Sequence, residues 1–319
     1  MQPKLRDIAK DLGVSTATVS NALSGNGRVS AQLRDRIRAK ATAMAYSPSL
    51  QGRALRTGRS GVIGLVLPDI SNPLFPAFAQ SIEAAAEKVG YGVLIADSHG
   101  NAGDQNDALQ RMMRQGADGI VIIPRRGTRM KDIGLPVAVV DTPSTPENSV
   151  SADHKDGGRI AAQHLQGLGH RKIALVADSR NSSVQNDRID GMKEAMNPET
   201  EFRVLWLEDT RKPGFLSLVS EGFTGFIATS DLHALTALTQ FQRGGISVPD
   251  QVSVMGFDDL AFSAAITPSL TTLAQDTDQI AARAVACLTA QIDGRTPLKN
   301  TVVPMKLLKR DSTKAAPKT

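Results

Sequence analysis

The sequence predicts an α/β protein: an N-terminal helix-turn-helix headpiece ahead of a two-lobed core of doubly wound parallel sheets. Three observations lead there. Residues 5–23 hold two short amphipathic runs broken at Gly13, the pattern of two helices joined by a tight turn. From Val62 onward, apolar strand-like runs alternate with helical patterns in two successive series, which implies parallel sheets covered by helices. Charge is also segregated. Residues 1–60 carry eleven Lys or Arg against three Asp, whereas the rest of the 319-residue chain holds 26 basic and 29 acidic side chains. A cationic head of this kind is the electrostatic footprint expected of a phosphate-binding surface.

In the headpiece, Ile8, Ala9 and Leu12 form the apolar stripe of the first helix. Gly13 sits where a left-handed residue closes it, and Ser15 is placed to cap the second helix. That helix buries Val19 and Leu23 and turns Thr16, Thr18, Ser20 and Asn21 outward, leaving it slender and polar enough for a DNA major groove. Ser30 caps a third helix from Ala31 to about Ala45, with Leu33, Ile37, Ala41 and Met44 on one face, and Tyr46-Ser47-Pro48 ends it. The basic stretch Ser49–Thr57 is too short for a stable isolated helix. It is expected to be a linker or a helix that orders on a partner. The domain reading is therefore 1–46 headpiece, 47–60 hinge helix or linker, and 61–319 core.

In the core, strand runs fall at Val62–Leu67, Gly92–Ala96, Gly119–Ile123 and Val137–Val140, then at Lys172–Ala177, Arg203–Leu207, Gly225–Ala228 and Val252–Gly256. Helical patterns fall at Pro76–Val89, Asp104–Gln115, Gly157–Leu168, Arg188–Met196, Asp231–Arg243 and Asp276–Ile292. Two doubly wound lobes follow, one of about 61–145 plus 276–300 and one of about 146–275 plus 301–313. In such sheets ligands sit beyond the carboxyl ends of the strands, so the cleft between lobes is the expected pocket.

Composition narrows the function. A hydrophobic content of 41% without a long apolar run argues for a soluble protein with no membrane partner. The polar segment Met1–Lys10 lacks a signal-peptide core, so a cytoplasmic location is expected. The single cysteine, Cys287, lies in an apolar helical stretch and reads as a buried thiol. No Gly-Lys pair, G-x-S-x-G, H-E-x-x-H or C-x-x-C occurs, and the five histidines lack metal-ligand spacing. An enzyme, a metal site and a bound cofactor are therefore not expected.

Taken in order, the motifs resemble the lac repressor (LacI/GalR) family of bacterial transcription regulators. They run from Lys4-Leu-Arg-Asp-Ile-Ala and Gly13–Ser20 through Tyr46-Ser-Pro48, Ala54–Gly58, Pro68–Pro73, Asp118–Ile120, His164–Ala174 and Arg188–Gly191 to Pro249–Asp259 and Pro268–Thr272. The resemblance implies a homodimer that binds double-stranded operator DNA. It also implies a periplasmic-binding-protein-like core that senses a small-molecule effector, a sugar or sugar derivative. Two alternatives stay open: a sugar-binding receptor with no DNA role, and a nucleobase-responsive regulator.

Carried over by position, Thr16, Ala17 and Asn21 face base edges, while Ser15, Thr18 and Ser20 hold phosphates. Ser49–Thr57 matches the hinge helix, with Leu55 as a wedge between base pairs and Arg53 and Arg56 on the phosphates. For the effector, the resemblance implies Asn72, Phe75, Asp97, Ser98 and Asp141 from one lobe, with Arg188, Ser230, Asp231, Asp258 and Gln275 from the other. Ser230 replaces the asparagine of many relatives, the stretches 125–135 and 197–202 are short, and Lys314–Thr319 is expected to be a disordered tail.

Overall fold

The computed structural model describes residues 3–24, 27–46, 58–99, 102–124, 134–141, 149–209, 214–296 and 301–317. They divide into two compact units, Met1–Ser60 and Gly61–Thr319. The first is a bundle of α1 (Leu5–Leu12), α2 (Thr16–Ser24) and α3 (Ala31–Ala43). Its core is Ile8, Ala9, Val19, Ala22, Ile37 and Ala41, with Leu12, Leu23 and Leu33 packed around it. The helix ends are set locally. The Lys4 amide donates to the Asp7 carboxylate at 2.7 Å, Gly13 takes φ +66°, and the Ser15 and Ser30 hydroxyls accept the amides of Thr18 and Leu33.

The second unit holds two six-stranded sheets. Its strands are β1 (Val62–Leu67), β2 (Gly92–Asp97), β3 (Ile120–Ile122), β4 (Val137–Val140), β5 (Ser149–Ala152), β6 (Lys172–Ala177), β7 (Glu201–Trp206), β8 (Gly225–Ala228), β9 (Ser253–Asp258), β10 (Thr271–Ala274), β11 (Thr301–Val303) and β12 (Lys306–Leu308). Its helices are α4 (Leu74–Lys88), α5 (Ala102–Arg114), α6 (His154–Gly167), α7 (Ser183–Glu194), α8 (Phe215–Ser220), α9 (Asp231–Arg243) and α10 (Thr277–Ile292). One sheet runs β11-β5-β4-β3-β1-β2 and the other β12-β10-β9-β8-β6-β7. All pairs are parallel except β10 with β12. In each sheet the order reverses beside the first strand of its series, between β1 and β3 and between β6 and β8.

Three connections join the lobes: β5 to α6 through Asp153, β10 to α10 through Gln275 and Asp276, and β11 to β12 through Pro304 and Met305. The lobe boundaries therefore differ from expectation, because β5 and β11 complete the first sheet although both were placed in the second lobe. β5, β10, β11 and β12 are short and carry Ser, Thr or Lys, so no apolar run marks them. Pairing with neighbouring main chain, for β11 and β12 at the sheet edges and for β5 and β10 just inside them, makes them strands without a hydrophobic run. Among the described residues no helix is long and apolar enough to cross a membrane.

The end of the chain also departs from expectation, since Lys314 and Ala316 are bonded to the second lobe. The Lys314 carbonyl accepts His170 Nε2 at 3.1 Å and Ser253 Oγ at 3.1 Å, and the Ala316 amide donates to the Leu168 carbonyl. His164 Nε2 lies 3.1 Å from Thr313 Oγ1 beneath the same segment. Burial, aided by Lys309, holds His164 down to about 4 from an ordinary 6.5, and burial lowers His170 as well.

Two helices meet through glycine. A Cβ on Gly191 of α7 would land on the Lys155 carbonyl of α6, and one on Gly158 of α6 on the Arg188 carbonyl of α7. This contact sets how closely α7 approaches α6. Gly191→Ala must push the helices apart and is expected to cost about 1–3 kcal/mol, measured by urea unfolding. Acid should act through His164, because the unfolded histidine takes a proton near 6.5 and the folded one only near about 4. Stability then falls as pH drops from 6.5 toward 4, with no such loss above that window. Melting temperatures across this range should fall less steeply in His164→Gln.

Candidate functional site

In the headpiece, the start of α2 is the free surface. Ser15, Thr16 and Ala17 are exposed, and Thr18, Ser20 and Asn21 are half-buried. Ser15 is already engaged, its hydroxyl capping α2 and lying 2.9 Å from Thr18 Oγ1. Two hydroxyls proposed for phosphates are thus tied to each other. Arg53, Leu55 and Arg56 lie outside the described residues.

In the core, a cavity of about 820 Å³ opens beyond the carboxyl ends of the strands. Pro68 and Asp69 follow β1, Ile123 and Pro124 follow β3, Asp178 and Ser179 follow β6, and Thr229 and Ser230 follow β8. Both reversals of strand order therefore face one cleft, where open α/β sheets take ligands. Asn72, Phe75, Asp141, Arg188, Ser230 and Asp258 all line it, as do His233, Gln185 and Asn181.

Its floor is a buried polar chain. Arg188, 2% exposed, donates from Nη2 to Asp258 Oδ1 at 2.8 Å, and Gln275 Nε2 donates to the same oxygen at 2.8 Å. Arg188 Nη1 reaches the Thr229 carbonyl, and the guanidinium stacks over the Phe257 ring at 4.7 Å. Its Nε donates to His154 Nδ1 at 3.3 Å. With Nδ1 accepting, the His154 proton sits on Nε2, which lies 3.1 Å from Asp141 Oδ1. The chain thereby crosses from the second lobe to the first. Burial alone would raise the Asp141 carboxyl, but its interactions with His154, and with Arg188 behind it, outweigh burial and lower it. Asp141 and Asp258 hold left-handed backbone, at φ +62° and +102°. Strain of this sort persists where surrounding structure over-determines it, commonly at binding sites.

Four expected effector residues are not in the lining. Asp97 accepts the amides of Ile70 and His99 and fixes the loop after β1. The wholly buried Ser98 donates to the Leu67 carbonyl. Asp231, also wholly buried, accepts from Leu260 N, Ser263 Oγ and Thr272 Oγ1. Burial, with Asp258 nearby, pushes its carboxyl up to about 7. Gln275 stands behind Asp258, and its buried Oε1 has no partner among the described residues. Several cleft residues carry no expectation from the sequence, among them the lining residues Asp178, Gln185 and His233 and, behind Asp141, His154. Asp178 satisfies the strand-end rule that points to Asp141, whereas nothing in the sequence marks His154. Among the described residues no group of three or more His, Cys, Asp or Glu is placed to hold a metal ion.

Comparison with known proteins matches this geometry. Residues 4–49 fit the family described as bacterial regulatory proteins, lacI family, and residues 162–313 fit a periplasmic binding protein-like domain. The ribose operon repressor of Lactococcus lactis subsp. lactis (strain IL1403) is 30% identical over 288 residues, covering 86% of this chain and 87% of that protein. The chain belongs to the lacI family. Among solved structures, the lac repressor dimer bound to operator and the anti-inducer ONPF matches with a TM-score of 0.82 at 25% identity, covering 99% of this chain and all of that one. A LacI family transcriptional regulator from Enterococcus faecium with bound ribose matches with a TM-score of 0.67 at 26% identity, covering 80% of this chain and 99% of that one. The lacI-family chain is thus a DNA-binding transcriptional regulator, built as a helix-turn-helix head and a periplasmic-binding-protein-like core.

Arg188 and Asp258 form a buried ion pair, 3% and 5% exposed at the side chain. Removing one partner strands the other charge and costs about 3–5 kcal/mol. Arg188→Met should lose that much in urea unfolding, and adding Asp258→Asn should restore part of it.

Proposed function

We propose that this regulator is a homodimeric repressor, acting in the cytoplasm, whose affinity for operator DNA changes when a sugar or sugar derivative binds in the core cleft. One observation carries the reading: a single chain holds both an exposed, cationic helix-turn-helix and a cleft at the strand-order reversals floored by Arg188, Asp141 and Asp258. In this reading Thr16, Ala17 and Asn21 meet base edges. Asn21 is the candidate for adenine, and Ala17 makes apolar contact with a thymine methyl. Thr18, Ser20, Arg53 and Arg56 hold phosphates, and Leu55 is the wedge. The homodimer is supported by the lac repressor, whose matching structure is a dimer on operator, and the sugar by the ribose-bound regulator. Effector hydroxyls would bond Arg188, Asp141, Asp258, Asn72 and Ser230, with Phe75 against an apolar sugar face. A ligand touching both lobes fixes the angle between them, and coupling of that kind is worth about 1–3 kcal/mol.

Selection of bound duplexes from a random library, followed by anisotropy titration, tests the DNA half. Affinity for the selected duplex should fall steeply as salt rises, because phosphate contacts release counterions. Asn21→Ala should weaken it by about 1–3 kcal/mol and relax preference at one base pair. Binding that ignores salt, or a selection that yields no consensus, overturns the reading.

A further inference from the structure

We propose that the cleft takes an uncharged polyhydroxyl ligand and rejects the phosphorylated or carboxylate counterpart of the same sugar. The proposal rests on the reading of this cleft as the effector site and adds the charge of the ligand. Among the described lining residues, four carboxylates (Asp69, Asp141, Asp178 and Asp258) stand against one guanidinium, Arg188.

That guanidinium is already matched. Its Nη2 is held by Asp258, its Nε by His154, and its Nη1 reaches the Thr229 carbonyl. Through His154 it also faces Asp141. Arg188 keeps N–H capacity for a hydroxyl but little charge for an anion. The one lining histidine, His233, lies 3.3 Å from Thr229 Oγ1 through Nδ1, and burial favours its neutral form. At the mouth, Asp178 is exposed directly after β6, so an anion must approach a carboxylate before it reaches the floor.

Hydrogen-bond chemistry points the same way. Among the described residues, the hydrogen bonds of Asp141 and Asp258 use only Oδ1. Each therefore keeps an oxygen that can accept but not donate. A sugar hydroxyl supplies the required donor. A phosphate dianion has none, and brings two further negative charges into a partly desolvated, anionic space where like charges repel strongly.

The test is calorimetric titration of the full-length protein with matched pairs: D-ribose and D-ribose 5-phosphate, D-glucose and D-glucose 6-phosphate, cellobiose and its 6-phosphate. In any pair that binds, the neutral member should be at least about tenfold tighter, and added salt should narrow the gap. Asp178→Asn, at an exposed position, should also narrow it. A phosphorylated member that binds equally or more tightly overturns the charge rule and leaves the effector site standing. An unchanged ratio in Asp178→Asn overturns the electrostatic cause. If every pair fails to bind, the effector-site reading falls and this proposal falls with it.

Discussion

The buried charge of Arg188 is the constraint around which the core is arranged. A guanidinium removed from water must find partners for its N–H groups, and it finds them in Asp258, His154 and the Thr229 carbonyl. Each partner imposes a further demand. Asp258 adopts a left-handed backbone to present its carboxylate, Gln275 is drawn in behind it, and His154 must keep Nδ1 free of a proton. Bringing α7 close enough to α6 for this contact needs Gly158 and Gly191, where side chains would strike backbone. Buried ion pairs are weak evidence for stability, since desolvation consumes much of what attraction supplies. Their placement on a cleft floor that reaches both lobes gives a better reason for the arrangement than stability does.

Topology explains why the floor lies where it does. Strand order reverses between β1 and β3 and again between β6 and β8, so the chains leaving those strands diverge and leave space between them. Eight cleft residues are the first or second after those four strands. The cleft lining thus sits on short segments anchored by continuous buried strands.

Much of this was legible in the chain itself, and the legible parts share a cause. β1, β4, β6 and β8 are buried on both faces almost throughout, so each reads as an apolar run, with Lys172 opening β6, and each has the observed limits. α9 begins and ends at the residues its pattern marks, where Ser230 caps it. Short strands such as β5 and the edge strand β11 owe their conformation to pairing with distant backbone, which leaves little trace in side-chain pattern. At the site, strand-end position identified the neighbourhood of Asp141 and Asp97 alike. It does not say which way a side chain turns, and Asp97 turns toward two amides of its own loops. His154 was invisible because its partners, Asp141 and Arg188, lie 13 and 34 residues away. The resemblance to lac repressor located Arg188 and Asp258, whose pairing no local spacing encodes.

The three inter-lobe connections leave from one side of the molecule: β5 and β11 stand together at one edge of the first sheet, and β10 and β12 at the matching edge of the second. Tethers along one border make tilting about that border the natural relative motion of the lobes, and the gape of the jaws the variable that an occupant of the gap would set. The far rims, beside β2 and β7, sweep the largest arc for each degree of tilt.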